Sequence, residues 1–232
     1  MARAFASKGA TVAIVYHAND AAAEECLGLL DGEGHIAIKA DVGDPTAVIE
    51  LVNNAIAQLN HIDILVNNAG IGIHHPIDSS SYDQWQSAWQ QTLQTNLLGP
   101  ANLCYCVAQE MIKRKSGRIV NVSSRGAFRG EPMQMAYGAS KAGLNSLSQS
   151  LAISLAPYNI FVGAVAPGFV NTEMSAELLQ SSEGDEIRGQ SPFNRVAQPE
   201  EVAHAVLFLS SEGAEFSTGT IIDVNGASYL RN

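Results

Sequence analysis

The sequence predicts an α/β fold, in which a parallel, doubly wound sheet lies between two layers of helices in one domain spanning residues 1–232. Short β-branched runs alternate along the chain with longer segments of helical periodicity. Most runs are apolar throughout, as expected for parallel strands that helices cover on both faces. No internal repeat, low-complexity tract or Pro/Ser-rich linker interrupts this alternation. The predicted strands are Val12–Tyr16, His35–Lys39, Ile64–Val66, Arg118–Val122, Ile160–Val165 and Thr220–Val224.

Helices between the strands are indicated by their termini and their apolar faces. Asp44 and Pro45 suit the cap and the first position of a helix. An apolar face at helical spacing follows, made of Val48, Leu51, Val52, Ala55, Ile56 and Leu59. A second such helix begins at Pro199, and Gly213 lies beyond its end. The least regular region, Ser175–Val196, is expected to be either a substrate lid or a plain surface loop.

The composition limits the classes of partner. Asp and Glu number 23 against 13 Lys and Arg, which gives a net charge of −10. This balance argues against nucleic acid or an anionic membrane as the main partner, because both are bound through excess positive charge. No apolar stretch approaches the roughly 20 residues of a membrane helix, and the amino terminus lacks the apolar region of a signal peptide. A cytoplasmic protein is therefore expected.

No metal site is predicted. Of the three cysteines, Cys104 and Cys106 are two residues apart in a helical pattern, so their side chains point to different sides. Buried thiols in a reducing compartment are expected. His74 and His75 are adjacent and have no further ligand cluster around them, which makes a poor metal site. A substrate-loop or surface position is expected for both histidines.

The segment with the clearest chemistry joins Ser123-Ser124 to Tyr137 and Lys141. The serines end an apolar strand, at the carboxyl edge where ligands bind in open α/β sheets. Tyr137 and Lys141 are four residues apart at the start of a helix and share one face. An ammonium ~4 Å from a phenolate, at an effective dielectric of ~20, supplies ~4 kcal/mol, enough to bring a phenol pKa from ~10 close to neutrality. Such a tyrosine can exchange a proton with a substrate hydroxyl, while Ser124 hydrogen-bonds the same oxygen.

A lone Tyr-x-x-x-Lys also fits a solvated helix face, but further motifs accompany this one. Asn67–Gly70 directly follows the strand at Ile64, and Asn96 lies in a Thr-Asn-Leu-Leu-Gly segment. Asp41-Val42 and Pro167–Thr172 follow two other strands. In this order and spacing the motifs resemble the classical branch of the short-chain dehydrogenase/reductase family, in particular its β-ketoacyl-carrier-protein reductase-like subgroup. The resemblance extends over essentially the whole chain.

This resemblance implies a Rossmann-like, three-layer αβα fold and a role for each catalytic candidate. Tyr137 would be the general acid/base, and Lys141 would lower its pKa and bind the nicotinamide ribose. Ser124 would steady the substrate oxygen, and Asn96 would hold a water that relays protons to Lys141. Besides Tyr137 and Lys141, the positions implied to line the cofactor are Asp41, Val42, Asn68, Ala69, Gly70, Pro167, Gly168, Val170 and Thr172.

The implied function is hydride transfer between a nicotinamide cofactor and a small carbonyl or secondary-alcohol substrate, in a homodimer or homotetramer. NAD-selective members place an acidic residue near the end of the second strand. Here Tyr16–Asn19 contains no carboxylate, and the first one along the chain is Asp20. The segment also contains no arginine that could bind a phosphate. NADP(H) is therefore favoured over NAD(H). An epimerase of the extended branch is an alternative, against which the short carboxyl-terminal region and Asn67–Gly70 count.

At its amino terminus the chain departs from the family pattern. Classical members open with a buried strand and a Thr-Gly-x-x-x-Gly-x-Gly turn that binds the cofactor pyrophosphate, whereas Ala2–Ala10 resembles the end of the helix that follows. The roughly 20 missing residues include a strand expected between those at Val12 and Ile64, which leaves two unpaired edges or an altered pairing. A longer protein, a truncation with weak cofactor affinity and a catalytically silent structural subunit are the three explanations. The first is favoured because every downstream catalytic position is filled.

Overall fold

The computed structural model describes residues 1–231 and confirms the predicted α/β architecture of parallel strands between helices. All six predicted strands are present, with ends within two residues of those predicted. They are β1 (Ala13–Tyr16), β2 (Ile36–Lys39), β3 (Ile64–Asn67), β4 (Gly117–Val122), β5 (Ile160–Pro167) and β6 (Ile221–Val224). The assignment of a single domain stays a prediction.

Helices precede and connect the strands, and several of them begin at a polar cap or a proline. They are α1 (Ala2–Ala6), α2 (Asp20–Gly28), α3 (Pro45–Leu59), α4 (Tyr82–Leu93), α5 (Gly99–Arg114), α6 (Met135–Leu155), α7 (Glu173–Gln180), α8 (Gly184–Gly189) and α9 (Pro199–Ser210). The predicted cap of α3 is confirmed, since the backbone N–H of Thr46 donates to Asp44 Oδ1 at 2.8 Å. Within residues 1–231, no helix has both the length and the apolar character that crossing a membrane requires.

Two apolar cores join the sheet to its helical layers. Along β4, Ile119 packs into one core with α3, α5 and α6, whereas Val120 packs into the other with α9 and with Phe5 of α1. Both side chains are fully buried. Because successive residues of a strand point to opposite faces, burial on both faces requires consecutive apolar residues. This explains the uninterrupted apolar runs of the sequence.

The sheet is divided into two wholly parallel ladders, β1-β2 and β3-β4-β5-β6. On the β2 side of β1, the N–H of Ile36 donates to the carbonyl of Val12. Backbone groups alternate in direction along a strand, so those of Ala13 and Val15 point to the opposite edge. The edge of β1 that faces away from β2 therefore presents free donors and acceptors.

The outer edge of β3 is unpaired in the same way. The N–H of Arg118 donates to the carbonyl of Asp63 at 2.9 Å on the β4 side, so the backbone groups of Ile64 and Val66 point away from β4. Both β1 and β3 line one cavity of about 840 Å³, together with residues of α1, α3 and α5. Among residues 1–231 no ladder joins β1 to β3. The predicted pair of unpaired edges is therefore confirmed.

The segment Ser175–Val196, predicted to be the least regular, is instead largely helical, because α7 and α8 occupy much of it. Ile187 of α8 is buried. Arg188 ties the two helices together, since its Nη1 donates to the carbonyl of Leu179 at 3.1 Å. The α7 segment, Glu-Met-Ser-Ala-Glu-Leu-Leu-Gln, consists mostly of good helix formers, which outweigh the Ser and Gly residues around it.

Candidate active site

The candidate site lies at the carboxyl edge of the β3–β6 ladder. Parallel strands end on the same edge of a sheet, so the segments that follow them come together there. These segments are Asn68–Gly70 after β3, Ser123-Ser124 after β4 and Gly168–Thr172 after β5. The helix α6 delivers Tyr137 and Lys141 to the same edge, and Lys141 Nζ donates to the carbonyl of Val122, the last residue of β4, at 2.8 Å. Residues that are far apart in the sequence are thus assembled by the sheet.

Ser124 lies beside Tyr137, near enough for its hydroxyl to act on the pKa of the phenol. Ser124 Oγ also accepts from the backbone N–H of Gly126 at 3.0 Å, which fixes the serine rotamer at the start of a short turn. Burial raises the pKa of Tyr137, the Ser124 hydroxyl opposes this, and the Glu131 carboxylate raises the pKa further. The phenol is therefore protonated at neutral pH.

Lys141 is a buried ammonium, with only 3% of its surface exposed. Burial lowers its pKa to about 8, and no carboxylate in the part of the chain that the structure describes forms an ion pair with it. Its Nζ lies 5.7 Å from the centre of the Tyr137 ring and is bonded to the Val122 carbonyl. The structure therefore does not show the expected lowering of the Tyr137 pKa by Lys141. Burial has the largest effect on the pKa of each group, and Nζ points towards the backbone.

Asn96 is completely buried in a π-helical turn, Gln94–Leu98, that separates α4 from α5. Its amide clamps one residue, since Oδ1 accepts from the N–H of Ile71 and Nδ2 donates to the carbonyl of Ile71, both at 2.8 Å. Nδ2 also lies 3.2 Å from Ser140 Oγ, on α6. A π turn inside helical structure is common at functional sites, and here it places Asn96 between the β3 edge and the catalytic helix.

Gly70 lies where Asn96 and Lys141 converge. A Cβ at this position would be 3.3 Å from Lys141 Nζ and 3.4 Å from Asn96 Oδ1. The absence of a side chain thus leaves room beside two polar groups. Asn68 and Ala69, which precede it, are exposed and border the cavity between β1 and β3.

The remaining cofactor candidates lie on either side of this centre. Asp41 is exposed, and its Oδ1 accepts from the N–H of Gly43 at 2.8 Å. A Cβ at Gly99 would be 2.6 Å from the carbonyl oxygen of Val42, so this segment packs directly against the helix that follows the Asn96 turn. The second group comprises the buried Pro167, the partly buried Gly168 and Val170, and the exposed Thr172.

Arg125, which the sequence analysis missed, is a buried guanidinium directly after Ser124. Its Nη1 donates to Ser228 Oγ at 2.7 Å and its Nη2 to Gln190 Oε1 at 2.6 Å. The guanidinium also lies 4.8 Å above the ring of Phe169. It therefore joins the Ser124 turn to the segments after β5, α8 and β6. Its position next to the candidate residue Ser124 was the one signal in the sequence.

The expectation for the histidine pair is wrong in part. His74 is exposed, but only 1% of the surface of His75 is exposed. In residues 1–231 no group of three or more His, Cys, Asp or Glu side chains could hold a metal ion. Cys104 is fully buried as expected, whereas Cys26 and Cys106 are only partly buried.

The family model described as enoyl-(acyl carrier protein) reductase matches residues 1–227. The chain belongs to the short-chain dehydrogenase/reductase family. It is 37% identical over 228 residues to the 3-oxoacyl-(acyl-carrier-protein) reductase of Chlamydia trachomatis, a match that covers 97% of this chain and 90% of the relative. It is also 37% identical over 232 residues to the enzyme of the same name from Aquifex aeolicus, with 99% and 91% covered. The predicted class, an oxidoreductase of this family acting on a carbonyl/alcohol pair, is confirmed.

Solved structures of this short-chain dehydrogenase/reductase fold superpose closely. A protein named gox2181 matches with a TM-score of 0.90 and 33% identity, covering 98% of this chain and 89% of that one. A gluconate 5-dehydrogenase from Burkholderia cenocepacia, in complex with NADP and tartrate, matches with a TM-score of 0.87 and 28% identity over 98% and 88%. An NAD⁺-bound xylitol dehydrogenase matches with 0.85 and 27% over 97% and 93%. Both forms of the nicotinamide cofactor therefore occur among its structural relatives.

Proposed function

We propose that this chain catalyses the NADPH-dependent reduction of a carbonyl to a secondary alcohol, with 3-oxoacyl thioesters as the substrate class. The observation that carries the proposal is the placement of Tyr137 beside Ser124 and Lys141 at the carboxyl edge of the sheet. In the reducing direction the oxygen of the substrate takes up a proton, which the Tyr137 phenol would donate. The reductase names of the two bacterial relatives agree with this direction.

The chain's own residues would handle the oxygen of the substrate. A bound nicotinamide cofactor would supply the hydride, which adds to the carbonyl carbon. Ser124 donates a hydrogen bond to the carbonyl oxygen, and Tyr137 transfers its proton to that oxygen as the alcohol forms. The phenolate that remains then regains a proton from solvent. The backbone carbonyl of Val122 holds Lys141 in place.

The residues present fit the nicotinamide half of such a cofactor. The space at Gly70 would be filled by a single Cβ, and it is bordered by the polar groups of Lys141 and Asn96. Lys141 has donors to offer a ribose hydroxyl, since Val122 engages only one of them. Asp41, Val42, Asn68 and Ala69 would hold the adenosine half. Pro167, Gly168, Val170 and Thr172 would hold the nicotinamide.

A preference for NADP(H) is supported by the charges after β1. Tyr16–Asn19 carries no carboxylate. The first one, Asp20, is engaged by Lys39, whose Nζ lies 2.9 Å from Asp20 Oδ1. The charge of Asp20 is thus largely neutralised by a cation, and a ribose phosphate meets less repulsion from it.

A homodimer or homotetramer is supported by large apolar side chains that remain exposed on two neighbouring helices. Ile153 on α6 is 80% exposed and Tyr105 on α5 is 67% exposed. Such side chains become buried when like subunits pair. Gly143 on α6 faces Leu97 of the same chain, because a Cβ there would be 2.9 Å from the Leu97 side chain.

The test is a titration of the chain with NADPH and NADH, followed by nicotinamide fluorescence. Turnover of acetoacetyl thioesters is then measured by the loss of nicotinamide absorbance. Tyr137→Phe should bind cofactor normally but lose a factor of about 10²–10⁴ in turnover. Tyr82→Phe is the matched control, because Tyr82 is exposed and distant in sequence from α6. Full turnover in Tyr137→Phe would rule out this mechanism, and a chain that binds neither cofactor would favour the silent subunit.

A further inference from the structure

His75 lies between β3 and α4, and its imidazole is enclosed by other parts of the chain. Only 1% of its surface is exposed. Its Nδ1 is 2.7 Å from the carbonyl of Ile73, and its Nε2 is 3.1 Å from the backbone N of Ala136. Ala136 directly precedes Tyr137 in the first turn of α6. We propose that His75 is a positioning residue, which holds the start of α6 and thereby places the Tyr137 hydroxyl.

The two contacts specify one chemical form of the imidazole. A carbonyl oxygen only accepts, so Nδ1 must carry the proton that it donates to Ile73. A backbone N–H only donates, so Nε2 must present its lone pair to Ala136. The neutral Nδ1–H tautomer satisfies both contacts. The Nε2–H tautomer satisfies neither, because it sets N–H against N–H and lone pair against lone pair.

The first turn of α6 needs such an acceptor. The first N–H groups of a helix have no partner within the helix, and the N-cap residue Gln134 makes no side-chain cap bond. Ala136 is completely buried, which keeps water from its N–H. The imidazole of His75 therefore acts as the cap, supplied from another part of the chain. A second bond reinforces it, because the N–H of His75 donates to the carbonyl of Met133 at 3.0 Å.

The cap is itself held from two sides. Asn96 clamps both backbone groups of Ile71, four residues before His75. On the other side, the ring of Trp85 meets the imidazole edge-on, with centroids 5.2 Å apart and an interplanar angle of 77°. Trp89 lies beyond, at 6.4 Å. Asn96 thus fixes the loop that carries His75 at Ile71, and His75 itself contacts the residue before Tyr137.

This role rests on the proposed function, since positioning Tyr137 matters for catalysis only if Tyr137 transfers the proton. Loss of the cap frees the first turn of α6, and a phenol displaced by about 1 Å is expected to cost about 100-fold in rate. The substrate and cofactor contacts would remain. The expected signature is therefore a fall in kcat with little change in KM.

Three variants separate positioning from bulk packing. His75→Phe keeps the ring but removes both nitrogens, and its kcat should fall about 100-fold with KM and cofactor affinity within about twofold of the wild type. His75→Gln can place an amide oxygen near the Nε2 position and should recover most of the rate. His74→Phe, at the exposed neighbour, should change nothing. Unchanged kcat in His75→Phe, or a matching loss in His74→Phe, overturns the proposal.

Two measurements do not depend on turnover. Nitrogen NMR of the wild-type imidazole should show a protonated Nδ1 and an unprotonated Nε2, and the opposite tautomer would refute the cap. Hydrogen exchange of the Ala136 and Tyr137 amides should accelerate in His75→Phe while β4 and β5 stay protected. If His75→Phe does not fold, the proposal is tested by the kcat of His75→Gln and by the tautomer of the wild-type imidazole. A wild-type chain without turnover but with this tautomer and this exchange pattern would count against the proposed function alone.

Discussion

Replacing Lys141 with Met should stabilise the folded chain at neutral pH. The ordinary lysine pKa of 10.5 falls to about 8 in the folded protein because the side chain is buried. Each pKa unit is worth ~1.36 kcal/mol, so keeping the ammonium charged in the fold costs about 3 kcal/mol below pH 8. Lys141→Met removes this cost. It also removes the hydrogen bond to the Val122 carbonyl, which is worth about 1 kcal/mol. The net expectation at pH 7 is a gain of about 2 kcal/mol in the free energy of unfolding.

The difference in stability between Lys141→Met and the wild type should depend on pH. Between about 8 and 10.5 the unfolded wild-type chain binds more protons at Lys141 than the folded chain does, so wild-type stability rises with pH across this window. The advantage of Lys141→Met should therefore shrink through the window and reverse above it, where only the lost hydrogen bond remains. Urea unfolding of both proteins at several pH values measures the difference. Lys8→Met is the control, because Lys8 is exposed and its replacement should leave stability nearly unchanged.

Two outcomes would refute this reasoning. One is a Lys141→Met variant that is less stable than the wild type at pH 7, which would mean that the buried ammonium is compensated by contacts stronger than the Val122 bond. The other is a stability difference that does not change with pH. The same variant should lose turnover under the proposed function. It would then gain stability at the expense of activity, as is common when a functional residue is replaced.

Three further outcomes are expected. Ser124→Ala should lower kcat about 10²–10³-fold. It should also raise the pKa of Tyr137 further, because Ser124 lowers that pKa. An unchanged pH–rate profile would contradict the interaction between Ser124 and Tyr137. Cys104, buried and with its pKa raised to about 12, should resist alkylation at pH 8 until urea unfolds the chain, as peptide mapping of the labelled protein would reveal. Gly99→Ala should lower the free energy of unfolding by about 1–3 kcal/mol, since its Cβ would lie 2.6 Å from the backbone carbonyl oxygen of Val42; a neutral effect in urea unfolding would mean that this segment moves freely.

Much of the fold and part of the site could be predicted from sequence. The strands were found because burial on both faces requires uninterrupted apolar residues, as Ile119 and Val120 illustrate. The spacing of Ser124, Tyr137 and Lys141 identified the chemistry, because strand ends and helix starts place these side chains at one edge. The helices α7 and α8 were missed, since the Ser and Gly residues around them obscured the helix formers of α7, and the burial of Ile187 in α8 is a tertiary effect.

The sequence by itself determined the order of elements and the residue types available for proton transfer, because these follow from local periodicity and spacing. It also indicated the family, through the motifs that resemble it. Only the tertiary structure decided the burial, the orientation and the hydrogen bonds of those groups. Whether Lys141 tunes Tyr137 depends on burial and on the direction of Nζ, and both arise from packing around the Val122 carbonyl. The burial of His75 against Ala136 joins residues 61 positions apart, which no local pattern encodes. The unpaired edges of β1 and β3 likewise depend on which strands pair in the folded chain.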